Sequence, residues 1–590
     1  MYEILSGNTP EKWEQIKMHP FYEKDRAMLI SEGEKYLKNP PEVLLWSDYS
    51  RFMRDGDRKC YEKGYFDRRR RVAYLAILTK LYGDKYLDAL CNTMWLIMDE
   101  STWVVPAHMS NMLGDAEKRI THLDLFSTET GALLAETYHV LKDVLPAQVS
   151  ERLISMVKER VIDPFFRYHY WWMNGENNWA SVCISQIALC IMYIGTSEDF
   201  RRAEPEFNHV MNLFLSSYGE DGCCLEGLDY WSYGFGTFLN YADAVKNYTS
   251  NENCLNRFEN ALPAEKREKA HNVQTGVIDY FVRDDVKKAA VFASAMRLNG
   301  DYAVCFSDAY DKYSYPRSHF YIINKHYPGL LEYPKSSLSK QSISAGSHNI
   351  IRYFLWSDPD AEYGGKIKNN TLYYEEGQWF IRNCEKYSIA AKGGHNNEPH
   401  NHNDIGTFMI TTPEEIVLCD TGSGEYTRQY FDNRYRYDFL VNSSRGHSLP
   451  IINGSYQSFG TPKAVVLEHT DDTFEVNITS SYKDPTLKSL CRRYECYDGK
   501  ITLTDSFEFS MKPESVVERF VSFTEPKKEN GNIFVGKNTQ ILFDEKAFDA
   551  SISSEVYSGH GGSTAKLFFI DFKHKDPSEK EKLVFEIIIL

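Results

Sequence analysis

The sequence lacks several features that would place it in a specialised class of protein. It contains no run of about eighteen consecutive apolar residues, so no transmembrane helix is predicted. Residues 1–18 are polar and lack the apolar segment of a secretory signal peptide. The 12 cysteines form no C-x-x-C pair, which favours reduced thiols over a disulfide framework. We therefore expect a cytoplasmic protein without a membrane partner, or a periplasmic one if the chain has been trimmed.

Positive charge is also scarce. The chain carries 67 Lys and Arg against 83 Asp and Glu, a formal net charge of −16, which argues against nucleic acid as a partner. An anionic substrate stays open, because a cationic pocket can lie on an acidic surface. The one basic run, DRRRR at residues 67–71, is interpreted as a solvated helix face. A homo-oligomer is neither predicted nor excluded.

What the chain does have is length and aromatic residues. At 590 residues it is too long for one ordinary core, so two or three domains are expected. Its 40 Tyr and 10 Trp supply flat apolar faces with polar tips, as sugar-binding clefts often need. Aromatic packing between helices explains the same composition, and composition alone slightly favours it.

Two kinds of periodicity divide the chain. From residue 67 to about 297, apolar residues recur at helical spacing, and short polar links predict antiparallel helical hairpins. Because no strict repeat is present, a toroid of helix pairs is favoured over a solenoid. From residue 350 onward the period is two, beginning with a strand predicted at 350–356, and turn residues separate many such strands.

The predicted architecture is an α+β multidomain protein, with an N-terminal incomplete (α/α) toroid followed by a C-terminal antiparallel β-sandwich. We place a helical extension at 1–60, the toroid at 61–306, a connector at 307–345 and the sandwich at 346–590.

The most informative stretch is EPHNHNDIGTF, residues 398–408. If the chain is extended here, His400, His402 and Asp404 point to one side, because alternate residues of a strand share a face. Such a row can hold a metal and keep one imidazole for proton transfer, and imidazole nitrogen and carboxylate oxygen are donors that suit zinc. The alternative for an isolated H-x-H pair is two surface histidines in an Asn-rich turn.

Two stretches of the helical half also stand out. WWMNGENNW, residues 171–179, precedes a helix, and its Asn pair could simply cap that helix. GCCLEGLDYWSYG, residues 222–234, has acids before a helix, where they favour the helix dipole, and its aromatics could be core. Neither stretch is strong alone.

In this order the stretches resemble the heparinase II/III-like polysaccharide lyases. The pattern is Asn-Asn-Trp, then Glu-Gly-x-x-Tyr-Trp-x-Tyr-Gly, then His-x-His-x-Asp-x-Gly-x-Phe, then Asp and Ser-x-x-x-His. The resemblance covers roughly residues 60–460, and its specific part is the His-x-His-x-Asp block. It implies a toroid-plus-sandwich enzyme that cleaves uronic-acid-containing glycans by β-elimination, a carbon–oxygen lyase leaving an unsaturated product. Acidic oligosaccharides or polysaccharides would be the substrates, and exo-action on oligosaccharides is expected.

The resemblance also implies roles for particular residues. Asn178 would bind the substrate carboxylate, and His400 would help to neutralise that carboxylate or act as base. Tyr230 would be base, acid or both, with Tyr233 as its competitor. The remaining positions matched to substrate binding are His108, Trp179, Glu226, Trp231 and Tyr233.

His402, Asp420 and His447 match the family's metal ligands, which implies a zinc ion, most plausibly structural. Asp404 could instead orient an imidazole. One departure is Trp179, which stands where several family members have a His, so a two-base scheme using that His is not open to this chain. Tyr-centred syn elimination is then favoured.

Two other functions stay open at this stage. A glycoside hydrolase on a similar toroid would need two carboxylates about 5–10 Å apart, for which Glu226, Asp229 and Glu176 are the candidates. A non-catalytic glycan-binding protein with the same fold would bind without turnover.

Overall fold

The computed structural model describes residues 4–109, 116–251, 276–334, 349–365, 367–460 and 462–590. Its contacts divide the chain into two compact units, each of which is discontinuous in sequence. The helical unit comprises residues 1–217, 232–290 and 315–365, and the sheet unit comprises 218–231, 291–314 and 366–590. Within the described ranges, none of the helices combines the length and apolar character needed to cross a bilayer.

The α-helices lie mostly in the first half of the chain. They are Pro10–Met18, Glu23–Lys38, Trp46–Tyr49, Arg51–Asp55, Lys59–Tyr82, Leu87–Met98, Ala116–Thr121, Leu125–Leu141, Ala147–Val157, Asp163–Arg167, Asn178–Ile194, Ser197–Ser216, Leu228–Tyr230, Gly236–Thr249, Asp284–Ala295, Arg317–His326 and Ile350–Leu355. In the part of the chain that the structure describes, π-helical turns at Lys158–Ile162 and Trp231–Phe235 interrupt the series.

One helix is central to the helical unit. Asn178–Ile194 begins at the N-cap Asn177, whose side chain accepts a hydrogen bond from the Trp179 amide. Nearly every residue of this helix is buried, as expected for a helix surrounded by others. It packs against Leu125–Leu141, Ser197–Ser216 and Gly236–Thr249.

The basic run at residues 67–71 is not the solvated face that was predicted. Arg68 and Arg69 are buried, and both guanidinium groups bind the buried carboxylate of Glu100, at 3.0 and 2.6 Å. The interpretation was wrong because Glu100 lies outside the local sequence pattern. Removing one member of such a buried pair costs about 3–5 kcal/mol, since the other charge stays buried.

Across its described residues, the sheet unit contains three large antiparallel sheets. In spatial order, the five-stranded sheet is Asn370–Tyr374, Trp379–Asn383, Ser388–Lys392, Phe408–Thr411 and Ile416–Leu418; the four-stranded sheet is Phe548–Ser558, Thr564–His574, Val516–Ser522 and Pro450–Ile452; and the eight-stranded sheet is Lys527–Glu529, Asn532–Val535, Thr539–Leu542, Lys580–Ile589, Lys500–Phe509, Leu487–Tyr497, Thr473–Asn477 and Val465–His469. Arg297–Leu298 and Tyr302–Ala303 form a small hairpin.

Aromatic side chains from the three sheets meet in one core. Phe408 of the five-stranded sheet lies 5.3 Å from Tyr494 of the eight-stranded sheet and 5.6 Å from Phe520 of the four-stranded sheet, between ring centroids. All three are buried. Burial alternates along Leu487–Tyr497, as it must when only one face of a sheet meets a core.

The predicted helices-then-strands order is confirmed, but two local expectations differ from the structure. The strand predicted at 350–356 is wrong: Ile350–Leu355 is a buried helix, and a short apolar run fits either state. Residues 315–365, which include most of the predicted connector, contribute the helix Arg317–His326 to the helical unit. Residues 335–348 of that stretch lie outside the described residues.

Candidate active site

The His-x-His-x-Asp stretch is a loop between the strands Ser388–Lys392 and Phe408–Thr411. The predicted extended row is wrong, because His400 has a left-handed backbone with φ of 56°. This conformation is uncommon for a residue with a side chain and is held only where surrounding contacts impose it. His400 and His402 nevertheless reach one common partner.

That partner is Asp308, whose carboxylate is the centre of the candidate site. One oxygen lies 2.7 Å from Nδ1 of His400, and the other lies 3.0 Å from Nε2 of His402. The Tyr430 hydroxyl donates to the second oxygen, and Arg436 approaches the first at 3.5 Å. Burial alone would raise the pKa of Asp308, but the two imidazoles and Arg436 hold it well below its usual range. Asp308 is therefore a charged acceptor.

Tyr230 lies directly against His400. The two rings are stacked, with centroids 3.9 Å apart and planes 28° apart. The Tyr230 hydroxyl shares a hydrogen bond of 2.9 Å with the hydroxyl of Tyr426. Burial, followed by the negative charge of Asp308, raises the pKa of Tyr230 well above its usual value, so the phenol keeps its proton.

Glu226 completes the surroundings of His400. Its Oε2 lies 3.7 Å from Nε2 of His400, on the ring nitrogen that Asp308 does not contact. A carboxylate at this distance stabilises a positive charge on the imidazole. The predicted residues Glu226, Tyr230 and His400 are thus brought together in the sheet unit.

Close backbone packing explains how Tyr230 reaches this position. Gly227 has φ of 97°, and a side chain there would press on the carbonyl of Phe306. The carboxylate of Asp229 accepts a 2.6 Å hydrogen bond from the amide of Tyr310. The segment before Tyr230 is therefore fixed against the segment that carries Asp308.

Asp308 was missed by the sequence analysis. It belongs to no recognisable motif and lies 92 residues before His400. Its neighbour Ser307 has a left-handed backbone with φ of 63°, which sequence patterns do not reveal for serine. The only usable signal was an acid in the middle of an apolar stretch, AVCFSDA.

Two of the three predicted metal ligands, His402 and His447, lie in one cluster, and its third member is Asp404 where Asp420 was predicted. Ligating atoms of His402, Asp404 and His447 all lie within 4.8 Å of one another, and all three residues are buried. Asp420 instead contacts His447, with its carboxylate 3.0 Å from Nδ1. Among the described residues, Nδ1 of His402 has no hydrogen-bond partner. An unpaired buried imidazole nitrogen beside a carboxylate and a second imidazole fits a divalent cation.

A buried lysine adds to this cluster. Nζ of Lys392 lies 2.8 Å from the Asp404 carboxylate and 3.8 Å from that of Glu398, and the side chain is 0% exposed. Burial raises the pKa of Glu398 to about 7, although Lys392 opposes the shift. Lys392 therefore neutralises part of the negative charge beneath the His-x-His loop.

The predicted site residues Trp231, Tyr233 and Asn178 have different surroundings. Trp231 is 0% exposed, which argues against its predicted contact with a sugar; aromatic residues at helical spacing are more often core. In the helical unit, the Tyr233 hydroxyl donates to Oε1 of Glu129 at 2.7 Å. Asn178 is buried, and a methyl group at Gly234 would overlap its side-chain oxygen.

His108 and Trp179 belong to a row of aromatic rings in the helical unit. His108 stacks on Phe126, with centroids 5.1 Å apart and planes 7° apart, and its Nδ1 lies 2.6 Å from Asp124. The ring centroid of Trp179 lies 4.8 Å from that of His108 and 5.1 Å from that of Trp171, a residue that is 56% exposed. Such a row is able to stack on sugar rings.

Comparison with known proteins identifies the fold. No family model matches the sequence, and no curated protein does. A crystal structure of heparinase III matches with a TM-score of 0.59 and 14% identity, over 100% of this chain and 93% of that chain. A heparan sulfate lyase HepC mutant from Pedobacter heparinus matches with a TM-score of 0.55 and 13% identity, over 98% of this chain and 90% of that chain.

A third structure is more distant. Chondroitin AC lyase of Streptomyces coelicolor A3, in complex with chondroitin sulphate, matches with a TM-score of 0.50 and 8% identity, over 98% of this chain and 82% of that chain. The chain therefore has the fold of the heparinase III-like lyases, a helical toroid followed by an antiparallel β-sandwich, as predicted.

Proposed function

We propose that the protein is a polysaccharide lyase that cleaves uronic-acid-containing glycans by β-elimination. The observation that carries the proposal is the stacked pair of His400 and Tyr230, with Asp308 bound to one side of the imidazole. The likeness to glycosaminoglycan lyases supports the same class of substrate.

The reaction needs a base, an acid and a way to tolerate negative charge. Nε2 of His400 accepts the proton from C5 of the uronate, and the C5–H electron pair forms the C4–C5 double bond. The bond from C4 to O4 breaks, and the Tyr230 hydroxyl gives its proton to O4. Each group positioned for proton transfer contributes about 10²–10⁴-fold in rate.

Tyr230 suits the acid role better than the base role. Burial raises its pKa, so the resting phenol is protonated and able to donate. Glu226, 3.7 Å from Nε2 of His400, stabilises the imidazolium that forms when the C5 proton is taken. The contact of Asn178 with the uronate carboxylate stays a prediction from the family resemblance.

We further propose a zinc ion held by His402 and His447 with Asp404 and Asp420. The ion would supply fixed positive charge that stabilises the fold of the loop carrying His400. Imidazole and carboxylate are the donors that zinc accepts in tetrahedral sites.

The test is a panel of uronate oligosaccharides read by ultraviolet absorbance and product mass. Fragments of heparan, chondroitin, hyaluronan, alginate and glucuronan are the substrates. We expect absorbance to rise with at least one of them and to stay flat for His400→Ala. Exposed His209 supplies the matched control, His209→Ala, with wild-type turnover. Exo-action predicts short products from the start of the reaction. No rise with any substrate would contradict the proposal.

The hydrolase hypothesis is separated by the same products. Sugars without a double bond, together with inactivity of Glu226→Gln but not of Tyr230→Phe, would select hydrolysis. Binding without turnover would select a glycan-binding protein.

A further inference from the structure

The geometry points to Asp308 as a positioning residue that fixes the tautomers of His400 and His402 in opposite senses. The catalytic half of this inference rests on the proposed function. No sequence motif marks Asp308. Its two carboxylate oxygens each contact a different imidazole.

The contacts of His400 define the first half. A carboxylate only accepts hydrogen bonds, so Nδ1 of His400, 2.7 Å from Asp308, must carry the hydrogen. Nε2 then keeps its lone pair in the neutral ring. That lone pair is what a base needs, and it lies on the side where Glu226 approaches.

His402 is held in the reverse sense. Its Nε2 lies 3.0 Å from the other Asp308 oxygen, so Nε2 carries the hydrogen and Nδ1 keeps the lone pair. Nδ1 is buried and has no hydrogen-bond partner among the described residues, and His402 shares its cluster with Asp404 and His447. The free lone pair is therefore the one that a cation requires.

The surroundings hold Asp308 and the loop together. Nε and Nη2 of Arg436 donate to the carbonyl of Asn401, the residue between the two histidines, at 3.1 and 2.9 Å. Nη2 of Arg436 also faces Asp308 at 3.5 Å. Tyr430 donates its hydroxyl to Asp308. One buried carboxylate thus links the proton-transfer imidazole to the cation-binding imidazole.

The isosteric variant Asp308→Asn breaks this arrangement selectively. An amide has one accepting and one donating atom, so it cannot accept from both imidazoles at once. At least one ring must lose its hydrogen bond or change its tautomer. If His400 changes, turnover falls; if His402 changes, cation affinity falls.

The experiment reads the tautomers directly. Protein labelled with ¹⁵N only at histidine is measured at pH 8, and the two rings are assigned from His400→Ala and His402→Ala. We expect hydrogen on Nδ1 of His400 and on Nε2 of His402, with at least one of them changed in Asp308→Asn. Spectra in which both rings keep their wild-type tautomers in folded Asp308→Asn would overturn the inference.

Turnover and zinc binding provide the second readout. Asp308→Asn should lower kcat at least 100-fold with KM within about threefold, or weaken zinc binding at least tenfold; Asp311→Asn, in the same segment, controls for lost charge. Wild-type turnover and zinc affinity in Asp308→Asn would overturn the inference. If Asp308→Asn does not fold, Asp308→Glu is the second test. Its carboxylate should keep the hydrogen on Nδ1 of His400 and on Nε2 of His402. A folded Asp308→Glu in which both tautomers change would overturn the inference. A wild-type protein without lyase activity would refute the proposed function alone, because the tautomers and zinc affinity are measured without substrate.

Discussion

Tyr230 and Tyr233 lie three residues apart on one helical segment, yet their hydroxyls have unlike surroundings. Tyr230 belongs to the sheet unit, stacks on His400 and bonds to another phenol, Tyr426. Tyr233 belongs to the helical unit and donates to Glu129. The π-helical turn Trp231–Phe235 begins between them. The comparison teaches that spacing alone does not choose a catalytic phenol; its partner does.

Glu129 is not a partner that activates a phenol. Burial raises the pKa of Glu129 to about 8, so it is largely protonated at neutral pH and offers little negative charge. His400, in contrast, presents an imidazole that can take or carry a proton beside Tyr230. We therefore assign the proton-donating role to Tyr230 and a structural hydrogen bond to Tyr233.

The largest expected effect is the loss of turnover in Tyr230→Phe. Removing the proposed proton donor should lower kcat about 10²–10⁴-fold, the range for one positioned acid or base. Tyr233→Phe is the matched control and should lower kcat less than about tenfold. Initial rates from ultraviolet absorbance measure both. An active Tyr230→Phe with an inactive Tyr233→Phe would reverse the assignment.

How far the sequence predicts this site depends on the range of each interaction. Local patterns were sufficient for the helical half and for most strands, because periodicity is a local property, but they did not predict the loop conformation of the His-x-His-x-Asp stretch. Asp308 was not predictable, since its role arises from partners more than 90 residues away. Gln378 and His400, both with left-handed backbones, show the same limit for loop geometry.

The burial of particular side chains was the other feature that the sequence did not predict. The basic run at 67–71 has the pattern of an exposed face, and Trp231 that of a sugar-binding aromatic, but Arg68, Arg69 and Arg71 of the run are buried, and so is Trp231. Whether Arg68 and Arg69 are buried depends on Glu100, which only the folded chain supplies. A partner distant in sequence decides such cases, and residue type does not.

The second-largest expected effect arises in the sheet unit, which contains Tyr230. His402→Ala removes an imidazole of the proposed zinc cluster and should abolish zinc binding, lower the Tm and lower turnover. The reason is that the cluster includes His402 and Asp404, which belong to the same loop as His400. Elemental analysis and thermal unfolding are the measurements, with His209→Ala as control. Unchanged zinc content would remove His402 from the ligand set.

The third prediction tests the region of Tyr233 through its carboxyl group. Glu129 has a pKa of about 8 when folded, against a usual value of 4.5. The raised pKa means that stability is fully present at low pH and is lost as pH rises from about 4.5 to 8. The penalty at pH 7 is about 3 kcal/mol, from about 1.4 kcal/mol for each pKa unit.

Glu129→Gln should remove this pH dependence. Its Tm relative to wild type should rise between pH 5 and pH 8, because the amide needs no proton to stay neutral. Exposed Glu151 supplies the matched control variant, Glu151→Gln. Parallel Tm curves for wild type and Glu129→Gln would show that Glu129 is ionised when folded, and would weaken the contrast between the two phenols.

Gly234 allows a fourth test, aimed at Asn178. A methyl group at Gly234 would overlap the side-chain oxygen of Asn178, so Gly234→Ala should displace that amide. If Asn178 binds the uronate carboxylate, kcat/KM should fall about tenfold to 100-fold while the Tm changes little, since Ala favours a helix. Gly276, where an added methyl group meets none of the described residues within 4 Å, gives the control Gly276→Ala. Unchanged kcat/KM would remove Asn178 from the substrate-binding residues.

The smallest effect separates binding from chemistry. In the helical unit, Trp171 is 56% exposed and ends the aromatic row formed with Trp179, His108 and Phe126. In the sheet unit, Phe431 is 46% exposed and lies beside His400. The loss of stacking that contributes equally before and during the reaction raises KM and leaves kcat unchanged. Trp171→Ala should therefore raise KM about threefold to tenfold, consistent with about 1 kcal/mol for one aromatic contact.

Phe431→Ala should lower kcat as well, because its ring meets His400 edge-on at 6.3 Å and helps to hold the imidazole. Equal kcat losses in the two variants, measured with the same oligosaccharide, would mean that the helical unit also shapes the reacting groups.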